Sequence, residues 1–191
     1  MSRDNPDALL LGEWACLGAL YGRRTHGFAV AARLAPGGDL GRIWSLSRPL
    51  TYRCLDQLVR RGHVAAVGTE PGRAGGERTI LTATRRGRAE LRRWLRTPVA
   101  HLRDLRSELL LKLTLGAECS VDQAAMLAAQ RAAIVVIAEG LRAEADRTNW
   151  DDLVIVWRLE MAGAALRFLD RLTSDANGGR RRSPTGGAAR H

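Results

Sequence analysis

Residues 47–64 read SRPLTYRCLDQLVRRGHV. Ser47 followed by Pro49 marks a helix start: a serine hydroxyl can accept a first-turn amide, and proline has no amide to satisfy there. Leu50, Leu55, Leu58 and Val59 recur at helical spacing and predict one inward stripe. The other face carries Arg48, Thr51, Tyr52, Arg53, Gln57, Arg60 and Arg61, with Asp56 as its single acid. Gly62 predicts the stop, as a glycine just past a helix end does. A helix whose outer face is cationic and hydrogen-bonding suits a DNA groove. A solvated surface helix would read the same way in isolation, so the flanking sequence decides.

Val64 to Val67 is a short apolar run, followed by GTEPGRAGGERT with Arg73 and Arg78, then by the β-prone TILT of Thr79 to Thr82. Two short strands around a Gly-rich loop predict a hairpin. Upstream, LLLGEWACLGALYG (Leu9 to Gly22) is an apolar helix ended by glycine. THGFAVAARLAPGG opens with Thr25 as a candidate N-cap and closes at Pro36-Gly37. Helix, helix, basic helix, basic hairpin is the order of a winged helix-turn-helix.

Within that frame the segment resembles the PadR family of winged-helix transcriptional regulators. The family's His-Gly-aromatic turn before the second helix is matched by His26-Gly27-Phe28. Its Tyr-x-x-Leu-x-x-Leu followed by Gly-x-Val is matched by Tyr52, Leu55, Leu58, Gly62 and Val64. Its Leu-Thr-x-x-Gly-Arg followed by Leu is matched by Ala83-Thr84-Arg85-Arg86-Gly87-Arg88 and Leu91. The match covers the first half of the chain. It departs at Leu50, where the family has Ser or Thr, and at Leu81, where it has an aromatic. The resemblance implies a dimer held by C-terminal helices, DNA as partner, and an aromatic small-molecule effector in some relatives. The DNA-binding residues expected are Arg48, Thr51, Tyr52, Arg53, Gln57, Arg73 and Arg78.

Charge is unevenly placed. Residues 1–98 hold 17 Arg against 8 acids, residues 99–172 hold 9 Arg and Lys against 11 acids, and residues 173–191 hold 4 Arg against one Asp. The excess lies on the winged-helix half and the tail, as phosphate contact requires. No stretch approaches the roughly 20 apolar residues expected of a membrane span. The opening MSRDNPD lacks the apolar core of a signal peptide. Both readings point to the cytoplasm. Cys16, Cys54 and Cys119 are scattered, without a CxxC pair, so no metal site is expected. Cys16 reads as core. Cys54 lies in the basic helix, where inert packing is the ordinary role and a redox switch the alternative.

The second half reads as helical. Thr84 can cap a helix to Leu95; Leu102 to Leu115 carries an apolar stripe; Ser120 to Gln123 (SVDQ) has the capping-box pattern before a helix to about Arg147. Asn149 or Asp151 then caps a last helix to about Leu172. Leu153, Val156, Trp157, Ala164 and Leu169 form its apolar stripe, of which Leu153, Val156, Trp157 and Leu169 are the expected dimer interface. A two-fold dimer is the commonest cover for such a face; a four-helix bundle within one chain is the alternative. The organisation expected is a winged-helix DNA-binding domain at 1–98, a helical dimerisation domain at 99–172, and a disordered basic tail at 173–191. The fold class is mainly α with a small β-hairpin.

No catalytic motif stands out, so an enzyme is not expected, nor any cofactor or metal. The five tryptophans, Trp14, Trp44, Trp94, Trp150 and Trp157, are many for so few aromatics. Trp14 and Trp157 are candidates to sandwich a flat aromatic ligand; core and interface anchors are the other reading. Trp94 is expected to pack the winged helix onto the dimerisation helices. The function expected is a DNA-binding transcriptional regulator, a repressor on a pseudo-palindromic operator, released by an aromatic ligand. The alternative is a winged-helix protein-interaction module that does not read DNA.

Overall fold

The computed structural model describes residues 8–71, 76–148 and 150–180, the side chains of 175–180 excepted. The chain divides into two compact units at Gln123/Ala124.

The first unit runs α1 (Leu11–Ala19), β1 (Arg24–His26), α2 (Gly27–Leu34), α3 (Arg48–Arg60), β2 (Val64–Pro71), β3 (Glu77–Ala83), α4 (Arg85–Leu95) and α5 (Leu110–Glu118). Its sheet is antiparallel, in the order β1-β3-β2. The hairpin is longer than the two apolar runs, and it gains β1, whose Thr25 pairs with Leu81. Thr25 is therefore a strand residue. The N-cap of α2 is His26, whose Nδ1 accepts from Ala29 N at 3.1 Å.

The helix over 47–64 forms as expected but is rotated. Ser47 Oγ accepts from Leu50 N at 3.4 Å, and Pro49 sits in the first turn. The inward stripe is Thr51, Leu55 and Leu58. Leu50 and Val59, expected inside, are 46% and 41% exposed. A buried Thr at the head of the stripe is tolerated because its hydroxyl donates to Ser47 O at 3.1 Å. Gly62 ends α3 at φ +70°. His63 N donates to Leu58 O at 2.8 Å and Gly62 N to Val59 O at 3.0 Å, which satisfies two carbonyls of the last turn.

The Thr84-to-Gly87 motif joins wing to core. Thr84 Oγ1 donates to Gly62 O at 2.8 Å and accepts from Gly87 N at 3.0 Å, so one hydroxyl closes α3 and opens α4. Gly87 lies so close to the His63 carbonyl that a Cβ there would overlap the oxygen. Gly87→Ala is accordingly expected to cost about 1–3 kcal/mol of stability, the range for forced overpacking. Urea denaturation measures it; a loss under about half a kcal/mol would mean that α4 shifts freely.

The core centres on α1. Leu17, Leu20, Leu55, Leu58, Leu91, Leu95, Leu111 and Leu115 are fully or almost fully buried in one cluster with it. Leu111 and Leu115 explain why the unit extends past residue 98: the apolar stripe after Pro98 folds back on α1 and α4. Its opening is irregular, a 3₁₀ turn over Leu102–Asp104 and a π turn over Leu105–Leu109. The capping box at SVDQ does not form. Ser120 takes φ +52°, and Gln123 Nε2 instead donates to Leu95 O at 3.0 Å and Lys112 O at 3.1 Å.

The second unit is a helical hairpin, α6 (Ala124–Arg147) and α7 (Leu153–Arg180). Asp152 caps α7, its Oδ1 accepting from Val154 N at 2.9 Å; Asn149 lies outside the described residues. Arg131 of α6 pairs with Asp170 of α7 at 2.7 Å, as antiparallel helices allow. Met126, Gln130, Ile134, Ala138, Leu141 and Ala145 of α6 face Ile155, Ala162 and Leu169 of α7 along one seam. α6, at 24 residues with mean hydropathy 1.5 over its most apolar window, is long and apolar enough to cross a membrane. That corrects the expectation of no such stretch, although its buried seam and its ion pair also fit a packed hairpin. α7 continues past Leu172 to Arg180. The rest of the basic tail, 181–191, lies outside the described residues.

Candidate nucleic-acid interface

His26-Gly27-Phe28 is the hinge of the site. His26 caps α2 and Gly27 gives up its side chain to the Tyr52 ring, since a Cβ there would come within 2.8 Å of Tyr52 Cε1. Phe28, with its ring 47% exposed, receives two guanidinium groups: Arg48 of α3 at 4.6 Å from the centroid and Arg78 of β3 at 5.8 Å. A cation over an aromatic face is attracted by the ring quadrupole. Arg78 Nη1 also lies 3.5 Å from His26 Nε2, which is 3.5 Å from Glu70 Oε1. One exposed aromatic thus holds the basic helix and the hairpin in register.

His26, Phe28, Arg48 and Arg78 line a cleft of about 690 Å³ with Val59 and Arg60 on its helical wall. Asp56 and Glu77 also reach it, so the cleft is mixed in charge. Outward on α3 stand Tyr52, Arg53, Gln57 and Arg60, all exposed. Arg61 turns away, its guanidinium 3.6 Å from the buried Glu13, whose carboxylate also accepts from Leu10 N at 2.7 Å.

The expected DNA contacts therefore separate. Arg48, Tyr52, Arg53 and Gln57 share the outward face, and Arg78 joins Arg48 at Phe28. Thr51 does not belong: it is fully buried, because it occupies the head of the inward stripe. Arg73 lies outside the described residues. Phe28, His26 and Glu70 were not identified from the sequence as site residues. An aromatic directly after a His-Gly turn was the available signal for Phe28; the Glu70 contact depends on strand register.

The tryptophans sort differently from the sequence reading. Trp14 is buried and stacked on Trp94, ring centroids 4.9 Å apart and planes within 8°. The pair lines a cavity of about 580 Å³ with Trp44. Trp94 is thus committed to Trp14 in the core of the first unit, with Lys112 Nζ 4.8 Å over its ring. Trp157 is on the second unit and 65% exposed. Leu153 is 81% exposed, Val156 half-buried and Leu169 fully buried. Leu169 is therefore spent on the α6/α7 seam, a correction to its place in a dimer face. Leu153, Trp157, Ala164 and Phe168 form a separate, exposed stripe along α7. Among the described residues, no three His, Cys, Asp or Glu side chains are grouped as a metal site.

A scan of the sequence against protein-family models finds no match, and a search of curated proteins finds none. Solved structures are similar to it. The PadR protein of Bacillus subtilis, solved in complex with operator DNA, is 20% identical, with a TM-score of 0.44 over 85% of this chain and 97% of its own. A Streptococcus mutans protein is 15% identical, with a TM-score of 0.42 over 86% of this chain and 99% of its own. A PadR-like transcriptional regulator of Bacillus cereus is 17% identical, with a TM-score of 0.36 over 88% of this chain and 99% of its own.

Proposed function

We propose that this chain is a PadR-like DNA-binding transcriptional regulator, a repressor that reads a pseudo-palindromic operator as a dimer. The observation that carries the reading is the convergence of Arg48 and Arg78 on Phe28. It fixes the outward face of α3, with Tyr52, Arg53 and Gln57, beside the base of the hairpin. The helix would enter the major groove and the hairpin would follow the phosphates. The excess of arginine in residues 1–98 supports the same partner. The exposed stripe of α7 supports the dimer. An aromatic effector belongs to the same proposal, and the Trp14–Trp94 stack with Trp44 beside its cavity is the place where it would act.

Titration of duplex DNA from the chain's own upstream region tests this. Arg53→Ala is expected to weaken binding by about 1–3 kcal/mol if a base-reading contact is lost, and Arg78→Ala to weaken specific and random DNA alike. The salt slope should flatten by about one for each phosphate contact removed. Absence of salt-dependent binding to any duplex would favour the alternative, a winged-helix module whose mixed-charge cleft takes a protein segment.

A further inference from the structure

The three cysteines are not equivalent. Cys16 is fully buried on α1, its Sγ 4.0 Å from the Thr51 carbonyl oxygen of α3. Cys54 lies one turn beyond Thr51 and is partly exposed. Its Sγ stands 3.3 Å from where a Cβ would be on Gly12, one turn before Cys16 on α1. The two thiols thus enter the same seam between α1 and α3 from opposite sides, with Gly12 leaving the space.

We propose that Cys54 and Cys16 form a peroxide-responsive dithiol couple, which on oxidation ties the outward helix α3 to α1 through a disulfide.

The roles follow from the surroundings. The neighbouring Cys16 side chain holds the Cys54 thiol below its ordinary value, helped by the Arg53 guanidinium and opposed by burial and the Glu13 carboxylate. The neighbouring Cys54, with burial and the Glu13 carboxylate, pushes the Cys16 thiol well up. Cys54, partly exposed, is the thiol that peroxide can reach, and Cys16, fully buried, is its partner, the arrangement of an attacking and a resolving cysteine. Cys119 is buried, its thiol pushed up to about 11 by that burial, and it serves as an internal control.

In the first step the Cys54 thiolate attacks a peroxide oxygen. An S–O bond forms, the O–O bond breaks, and hydroxide leaves; Cys54 is oxidised to a sulfenic acid. Cys16 gives its proton to that hydroxide, making water, and attacks the Cys54 sulfur. The S–S bond forms, the S–O bond breaks, and the departing hydroxide takes up the proton that Cys54 lost on ionising, giving a second water. Two thiols and one hydrogen peroxide yield one disulfide and two waters, and a dithiol reductant reverses the change.

A disulfide holds its sulfurs at about 2.05 Å, so forming it draws the two side chains together across the seam. Tyr52 and Arg53, immediately before Cys54, move with it. The effect on DNA rests on the function proposed above; disulfide formation does not.

The test uses the full chain, reduced, then treated with hydrogen peroxide, with free thiols blocked before non-reducing peptide mapping. The expected product has lost two hydrogens, contains a Cys16–Cys54 linked peptide, reverts with dithiothreitol, and keeps Cys119 free to alkylate. Cys16→Ser is expected to stop at a Cys54 sulfenic acid that dimedone traps, and Cys119→Ser to behave as the unaltered chain. Circular dichroism checks that each variant folds. No linked peptide in the unaltered chain, or oxidation of Cys119 ahead of Cys54, overturns the couple. The oxidised chain should bind the upstream duplex about tenfold or more weakly than the reduced chain, and C54S should be insensitive to peroxide. Equal affinities of the two forms would overturn control of DNA binding. Failure of the reduced chain to bind any duplex counts against the function reading alone, because peptide mapping decides the couple without DNA.

Discussion

Trp157→Glu is expected to leave the α6/α7 hairpin folded, to abolish the dimer proposed above, and to lower operator affinity by about 100-fold or more. The residue is 65% exposed, and the seam that holds the hairpin runs instead through Ile155, Ala162 and Leu169. Substitution therefore removes no intrachain packing of consequence. Leu153, Trp157, Ala164 and Phe168 recur along α7 at helical spacing outside that seam. An apolar stripe left in water is a surface waiting for cover, and a two-fold axis lets the same stripe cover itself. A carboxylate at its centre would be buried unpaired in both copies. Two winged helices on two half-sites gain from each other's binding only when they are linked, so loss of the link costs far more than one contact. Sedimentation and DNA titration on the same sample check it. A monomer that holds a full operator as tightly as the unaltered chain would defeat the dimer reading; a dimer that survives the glutamate would place the interface elsewhere. Leu169→Glu is a poor substitute, because it would unfold the hairpin.

The order of elements was legible because each boundary carries its own chemistry. Ser47, Pro49 and Gly62 bracket α3, and Thr84 opens α4. The errors share one physical origin: local pattern does not say which neighbour an element packs against. The spacing of Leu50, Leu55, Leu58 and Val59 made a plausible stripe, yet the true stripe is turned by about one residue and admits Thr51. A hydroxyl that bonds its own helix is as good as apolar there, and hydrophobicity alone gives no sign of it. Pro98 looked like a domain edge, but the leucines beyond it complete the core around α1. β1 could not be seen, since three residues acquire strand character only from the β3 edge they pair with. Of the candidate site, the exposed residues of α3 were readable, while the Phe28 platform required knowing that α2 lies between helix and wing.

Lys112→Ala is expected to destabilise the first unit by about 2–5 kcal/mol, the cost of emptying a fully buried site and leaving a carbonyl unpaired. The side chain is 1% exposed. Nζ donates to Thr97 O at 2.6 Å and to Glu108 Oε1 at 2.9 Å, and stands 4.8 Å over the Trp94 ring. Alanine would leave the carbonyl unpaired and a hole beside Trp94. Lys112→Met keeps the stem and the packing, and Glu108, at 29% side-chain exposure, can turn to water; its loss should be less than half as large. The pH dependence separates charge from packing. Burial lowers the ammonium's pKa below the ordinary 10.5, with Glu108 opposing the shift. Between the folded and unfolded pKa values the unfolded chain binds the extra proton, so this group makes stability rise with pH through that window. Below the window both states are charged, and the burial cost is present in full. The difference in stability between the unaltered chain and Lys112→Met should therefore move in favour of lysine as pH rises toward 10.5. Denaturant midpoints of both proteins across mildly alkaline pH measure it. A difference that shifts the other way would mean that the attraction of Glu108 outweighs burial at this site.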